Sequence, residues 1–166
     1  MINALIIICA YLIGSIPSAL WIGKIFYKTD IRKQGSGNLG TTNTFRVLGK
    51  KPGIAVLLLD IFTGTAAVLL PLLAIFSDST VHPLILGIVA AAGHMFPIFA
   101  SFRGGKAVAT SAGIILGYNL PLFIVLLTVF IISLKMTKMV SLTSMIASTV
   151  AIIYVTINWI VTGEYA

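Results

Sequence analysis

Long uncharged stretches broken by short polar gaps organise this chain. The first runs from Ile2 to Gly23 and ends at Lys24. A helix needs about 20 apolar residues to cross a bilayer core, so this run predicts one crossing. No basic residue precedes it, and it exceeds the apolar core of about 7–15 residues typical of a cleaved signal peptide, so it reads as a retained helix. Gly53 to Ser77 predicts a second crossing, interrupted only by Asp60, and Val81 to Phe102 a third. The turn between them, "SDST" at 77–80, makes the pair a helical hairpin. Ala107 to Leu134 is too long for one crossing and too short for two full ones. At about 1.5 Å per residue it predicts a short or partly re-entrant helix near 107–117, a turn at "GYNLP", and a longer helix to Leu134. Val140 to Gly163 completes the pattern. The fold class expected is all-α, a polytopic transmembrane bundle of about six helices, with no repeat, linker or separate soluble domain.

Composition supports the membrane assignment. Of 166 residues, 58% are hydrophobic and 9% charged, against about 25% charged in soluble domains, and mean hydropathy is +1.10. The net charge of +7 does not indicate nucleic acid, because the basic residues sit in the gaps between apolar runs, where they set membrane orientation. Lys24, Lys28, Arg32, Lys33, Arg46, Lys50 and Lys51 place the first gap in the cytoplasm, and Arg103 and Lys106 return there. "SDST" has no Lys or Arg and falls outside, as do the N-terminus and Glu164. With Cys9 as the one cysteine, neither a disulfide nor a cysteine metal site can be built within the chain.

That topology puts polar segments 28–51, 103–106 and 135–144 on one face. "GSGNLGTTNTFR" at 35–46 carries three glycines, two asparagines, four hydroxyls and an arginine. Closely spaced glycines let successive backbone N–H groups converge on an anion, so Gly35, Gly37, Asn38 and Asn43 form a candidate phosphate cradle, with Arg46 as a planar fork for phosphate or carboxylate. "GSGN" by itself also reads as a plain turn. In "FRGGKAVAT" at 102–110, Gly104 and Gly105 precede a helix and can present backbone donors at its N-terminus, with Lys106 beside them. Alternatively, Arg103 and Lys106 simply mark the membrane boundary. The spacing is not that of a nucleotide P-loop.

Together "AYLIGSIPSALWIGK" (10–24), "GSGNLGTTNTFR", "GHMFPIFASFRGGKAVAT" (93–110) and "VSLTSMIAS" (140–148) resemble the bacterial integral-membrane acyl-phosphate:glycerol-3-phosphate acyltransferase family. The resemblance implies transfer of a fatty acyl group from acyl phosphate to the 1-hydroxyl of glycerol 3-phosphate, giving lysophosphatidic acid and phosphate. It implies Ser36 and Arg46 as activity residues, phosphate binding by Gly104, Gly105 and Lys106, and contact of Ser141 or Ser144 with glycerol 3-phosphate. It implies a multi-pass protein of the bacterial inner membrane with cytoplasmic active-site loops, no cofactor or metal, membrane lipid as surroundings, and a soluble enzyme as the source of acyl phosphate. The whole of 1–166 would be a single membrane-embedded acyltransferase domain.

The sequence departs from the family pattern in two places. "DIFTG" at 60–64 has Thr63 where the pattern D-x-x-K-G has lysine. The family's seventh helix and its R-H-x-x-N-I-x-R motif with a glutamate beyond lie past "IVTGEYA". The expectation is a piece of a longer protein or a shortened, non-catalytic relative. A transporter of phosphate or glycerol phosphate is the rival from another class, but only Asp60 is charged within the apolar runs. Asp60 is expected to be structural or supporting, near the cytoplasmic surface with a basic partner. His94 is either a proton acceptor or a packing residue between helices, and His82 is expected at the external interface.

Overall fold

The structure is a computed structural model, and residues 1–163 are described; Glu164 lies outside them. Eight α-helices, joined in places by short 3-10 turns, make up the regular structure of these residues: α1 Ile2–Gly14, α2 Ser18–Tyr27, α3 Thr41–Leu48, α4 Lys50–Leu69, α5 Pro83–Met95, α6 Val108–Tyr118, α7 Leu120–Thr137 and α8 Val140–Thr162. They fall into two compact units, Met1–Tyr118 and the part from Asn119 onward.

Four stretches are long and apolar enough to cross a membrane: Lys50–Leu72, Pro83–Ala100, Leu120–Thr137 and Val140–Thr162. The pair α1 and α2, bent by 43° at the break, gives a fifth when taken as one span, and α6 is the short helix expected near 107–117. The sequence predicts an unbroken first crossing. Its break has a local cause, since Pro17 has no N–H to donate back into α1 and stands as the cap of α2. Proline and capping side chains punctuate the rest. Pro52 lies in the first turn of α4, Pro71 ends that helix in a 3-10 turn, and His82 Nδ1 accepts from the Leu84 N–H at 3.3 Å to start α5. In the second unit Asn119 Oδ1 accepts from the Leu122 N–H at 2.9 Å, and α7 packs on α8.

In the first unit α4 is the hub, packed against α1, α2, α3, α5 and α6. Large side chains cannot mediate its approach to α6. A Cβ on Gly64 would run into the backbone of Thr110, and one on Gly113 into the carbonyl of Ile61. Thr65 Oγ1 donates across the gap to the Gly113 carbonyl at 2.8 Å. The α1–α5 contact is built alike, with Gly14 against the backbone of Ala90 and Gly93 against that of Tyr11. Small residues and hydroxyls do this in lipid, where apolar burial between helices gains little. Ile6, Ala10, Ala67 and Leu86 close one buried cluster, and Ala19, Leu20, Ile31 and Val56 another.

The two ends of this unit differ. At one, Asn3 bonds Ser79 and Thr80, joining the chain start to the "SDST" turn. At the other, the segment between α2 and α4 meets the segment between α5 and α6, where the Leu39 N–H reaches the Gly104 carbonyl at 3.5 Å.

The α4–α6 contact predicts that Gly113→Val is destabilising by about 1–3 kcal/mol, the usual cost of overpacking. Thermal unfolding in detergent would show a lowered midpoint, whereas Ile88→Ala, at a lipid-type exposed position (68% exposed), would leave the midpoint near that of the parent.

Candidate functional site

The segment after α2 begins with a left-handed Lys28 (φ 50°) that stops the helix. Asp30 then caps a 3-10 turn at Ile31–Lys33, accepting from the Arg32 backbone N–H at 3.1 Å. The same carboxylate holds the Arg32 guanidinium through Nε (3.0 Å) and Nη2 (2.7 Å). The hydrogen bonds from Arg32 lower the Asp30 carboxyl from the ordinary 3.8 to about 2. Ile31, fully buried, anchors the turn.

The glycine-rich stretch turns around one side chain. Asn43 is buried (2% exposed). Its Oδ1 accepts from the Ser36 N–H at 2.9 Å, and its Nδ2 donates to the carbonyls of Gln34 and Asn38, each at 3.1 Å, and to that of Ile31 at 3.4 Å. Gly35 (φ 59°) must be glycine, because a Cβ there would strike the Asn43 amide oxygen. Other donors are also in use: the Gly37 N–H binds the Gln34 carbonyl at 3.0 Å, and the Gly40 N–H binds Asn38 Oδ1 at 2.8 Å. The nest of convergent N–H groups expected from the sequence is therefore largely turned inward. These groups build the loop, and the amide of Asn43 is its centre. Residues 41–48, read from sequence as part of a loop, form helix α3.

Ser36 and Arg46 remain open. Both are exposed, and among the described residues neither side chain makes a hydrogen bond or ion pair with the protein. Lys106 is likewise exposed. Before it, Gly104 lies against the carbonyls of His94 and Met95 and against Pro97, and Gly105 against the His94 ring. The Gly105 N–H is given to the His94 carbonyl at 3.0 Å. These two glycines permit close packing on the end of α5. The expected anion donors at a helix N-terminus are reduced accordingly, since α6 starts only at Val108. Ser101, Phe102 and Ala107 have φ of 56°, 59° and 54°, a strained connection that needs its surroundings to hold it.

The two segments share an open recess of about 380 Å³ lined by Asp30, Arg32, Lys33, Ser101 and Arg103. Three cations against one carboxylate make it a place for anions. In the sequence Arg32, Lys33 and Arg103 read only as topology markers, and Asp30 carries no role. The alternation "DIRK" was the available signal, because Asp30 organises Arg32 two residues on.

His94 is buried beside Gly105 (7% exposed). His82 caps α5, its ring 5.8 Å from that of Tyr118. Asp60 is buried (1% exposed) and has no basic partner: the one ion pair among the described residues is Arg32–Asp30. Its carboxylate accepts instead from the hydroxyls of Ser18 and Thr41. Thr63 stands one turn along and bonds the Asp60 backbone carbonyl at 2.9 Å. In the second unit, Ser141 and Ser144 lie in the first turns of α8, with Ser144 Oγ donating to the Ser141 carbonyl at 2.9 Å. Among the described residues no three His, Cys, Asp or Glu gather as metal ligands.

Comparison with known proteins gives a consistent answer. The family model described as glycerol-3-phosphate acyltransferase matches residues 4–165. A protein of that name from Enterococcus faecalis is 54% identical over 170 residues, covering 95% of this chain and 77% of its own length. One from Streptococcus equi subsp. zooepidemicus is 56% identical over 152 residues, covering 91% and 69%. Among solved structures, the crystal structure of PlsY (YgiH), an integral membrane glycerol 3-phosphate acyltransferase, matches in its glycerol 3-phosphate form with TM-score 0.84 at 34% identity, covering 93% of this chain and 76% of that one. Its lysophosphatidic acid form matches with TM-score 0.80 at 32% identity. With the apolar spans and the match to an integral membrane protein in agreement, this chain is a multi-pass membrane protein of the glycerol-3-phosphate acyltransferase family.

Proposed function

We propose that this chain transfers a fatty acyl group from acyl phosphate to the 1-hydroxyl of glycerol 3-phosphate, releasing lysophosphatidic acid and inorganic phosphate. The observation that carries the reading is the junction of two polar segments 65 residues apart, Leu39 and Gly104, which leaves Ser36, Arg46 and Lys106 exposed on one unit of an apolar chain. Both substrates bear phosphate, and the free side chains together with the neighbouring cationic recess suit two anions.

In the reaction the 1-hydroxyl oxygen attacks the acyl carbonyl carbon and a new ester bond forms. The bond from that carbon to the phosphate oxygen breaks, and phosphate leaves with the electron pair. The hydroxyl proton passes to a phosphate oxygen of a substrate. Acyl phosphate is already activated, so no acyl-enzyme is needed. The protein's share is orientation and charge stabilisation. Arg46 offers a fork to one phosphate and Lys106 a point charge to another, while Ser36 hydrogen-bonds at the reacting centre. Gly35, Gly37, Asn38 and Asn43 shape the first cradle, Gly104 and Gly105 the second. Ser141 and Ser144 are assigned to glycerol 3-phosphate by the resemblance of "VSLTSMIAS" alone. We assign residues 1–166 to one catalytic domain in the bacterial inner membrane, with its polar loops facing the cytoplasm and a soluble enzyme supplying acyl phosphate. The transporter reading loses its one support, because the Asp60 carboxylate is occupied by two hydroxyls.

The direct test supplies purified chain with acyl phosphate and labelled glycerol 3-phosphate. Lysophosphatidic acid should form, and Ser36→Ala and Arg46→Ala should each lower kcat/KM by about 10²-fold or more, the scale for removing a group that stabilises developing charge. Turnover at the parent rate in both variants would refute the assignment.

Asn43→Ala should remove activity by a different route. It leaves several buried loop groups unpartnered at about 1–3 kcal/mol each, so amides at 34–40 should exchange faster with solvent in this variant and not in Ser36→Ala.

The Asp30–Arg32 pair carries a pH dependence of definite sign. Its folded-state carboxyl lies below its unfolded value, so the stabilisation is complete above 3.8 and is lost as pH falls toward about 2. Carbon NMR of labelled aspartate should show one carboxyl titrating near 2, and Arg32→Ala should return it toward 3.8.

A further inference from the structure

Asp60 is the one acidic residue inside the spans of the described chain, and it sits midway along α4. A buried charge without a cation is costly in a protein interior and more so within lipid. Packing does not call for it, since an apolar side chain would serve a helix contact better. Its two oxygens, however, touch two other elements. Ser18, itself buried (3% exposed), donates its hydroxyl to Oδ1. Thr41 Oγ1 is 3.5 Å from Oδ2, the longer of the two contacts. A carboxylate can accept from several directions at once.

The positions of those donors give the arrangement its meaning. Ser18 is the first residue of α2, just past the break at Pro17, and Thr41 is the first residue of α3. The segment between α2 and α3 is 28–40, which contains Asp30, Arg32 and the whole glycine-rich turn. One side chain therefore touches the start of the helix that delivers the segment and the start of the helix that receives it. One further contact presses α3 onto α4, the Phe45 ring lying against Gly53, while within α3 itself Thr44 Oγ1 donates to the carbonyl of the capping Gly40 at 3.2 Å, tightening its first turn. Thr63, with its hydroxyl on the Asp60 backbone carbonyl, does not compete for the carboxylate.

We propose that Asp60 is a positioning residue: its carboxylate, buried in α4, fixes through the hydroxyls of Ser18 and Thr41 the two helix starts that bracket the glycine-rich segment, and so sets where Ser36 and Arg46 meet substrate. This rests on the acyl-transfer reading above for its functional consequence, but not for its structural content. Asp60 touches no substrate and acts through α2 and α3.

The test combines kinetics with hydrogen exchange on Asp60→Asn, Ser18→Ala, Thr41→Val, Thr41→Ser and the double variant Asp60→Asn/Thr41→Val of the full chain. Thr41→Val and Asp60→Asn should each lower kcat/KM by about tenfold or more, within the range a misplacement of about 1 Å produces. The thermal midpoint of Thr41→Val should stay near that of the parent, and Thr41→Ser, which keeps the hydroxyl, should retain parental kinetics. The double variant should lose no more than Asp60→Asn alone, because both remove one coupling. Amides of 34–46 should exchange faster in Asp60→Asn and Thr41→Val, while those of α4 beyond Asp60 stay protected. Parental kinetics and exchange in Thr41→Val, or losses that multiply in the double variant, would overturn the proposal. If Asp60→Asn does not fold, Ser18→Ala and Thr41→Val decide it by the same exchange readout. Should the parent chain make no lysophosphatidic acid while 34–46 still loosens in these variants, the positioning stands and the acyl-transfer reading falls.

Discussion

The approach of α4 to α6 at backbone distance is the constraint on which the first unit depends. Gly64 faces the Thr110 backbone and Gly113 the Ile61 carbonyl, so the two helices meet without intervening side chains. In lipid, van der Waals contact and interhelical hydrogen bonds hold helices together, and Thr65 supplies such a bond at the same crossing. Because α4 also touches α1, α2, α3 and α5, its placement fixes the others. The polar end inherits its geometry from this contact: α4 carries Asp60 and the face that receives α3, while α6 follows directly on Gly104–Lys106.

Polar groups in this unit are met mainly by neutral partners. Asp60 is held by hydroxyls, and the loop at 34–43 by one amide. Neutral hydrogen bonds satisfy a buried group without adding a second charge to desolvate. Apart from Asp60, charge is kept to the rim, where Asp30 and Arg32 pair beside a cationic recess. The division suits a protein whose surroundings are apolar: exposed side chains such as Ser36, Arg46 and Lys106 are left free to meet an anionic ligand.

Glycine illustrates how one residue type serves different ends. At Gly35 the backbone is left-handed and a Cβ would strike the Asn43 amide, so the residue belongs to loop construction. At Gly104 and Gly105 the contacts are the end of α5 and the His94 ring. A sequence reading that assigns all such glycines to phosphate binding sees the composition of an anion site but not which N–H groups are already taken. The strained run at Ser101, Phe102 and Ala107 has no composition signal at all, since none of those residues is glycine.

Much of the architecture was legible in the chain because lipid imposes a length and a composition on any helix that crosses it. The apolar runs located the spans, the awkward length of 107–134 foretold the short α6, and the motifs pointed to the family that the comparisons then showed. Local chemistry marked one boundary as well, the turn at "GYNLP" where Asn119 caps α7, whereas the break at Pro17 interrupts a run that reads as one crossing. What the chain alone could not decide was pairing. Asn43 reaches back as far as Ile31, Asp60 binds residues 42 and 19 positions away, and the helix formed by "TTNTFRVL" finds the surface it covers only on α4. A run of letters states which groups are available. Which of them are satisfied by the protein, and which remain for a ligand, follows only once helices distant in sequence have been brought to backbone contact.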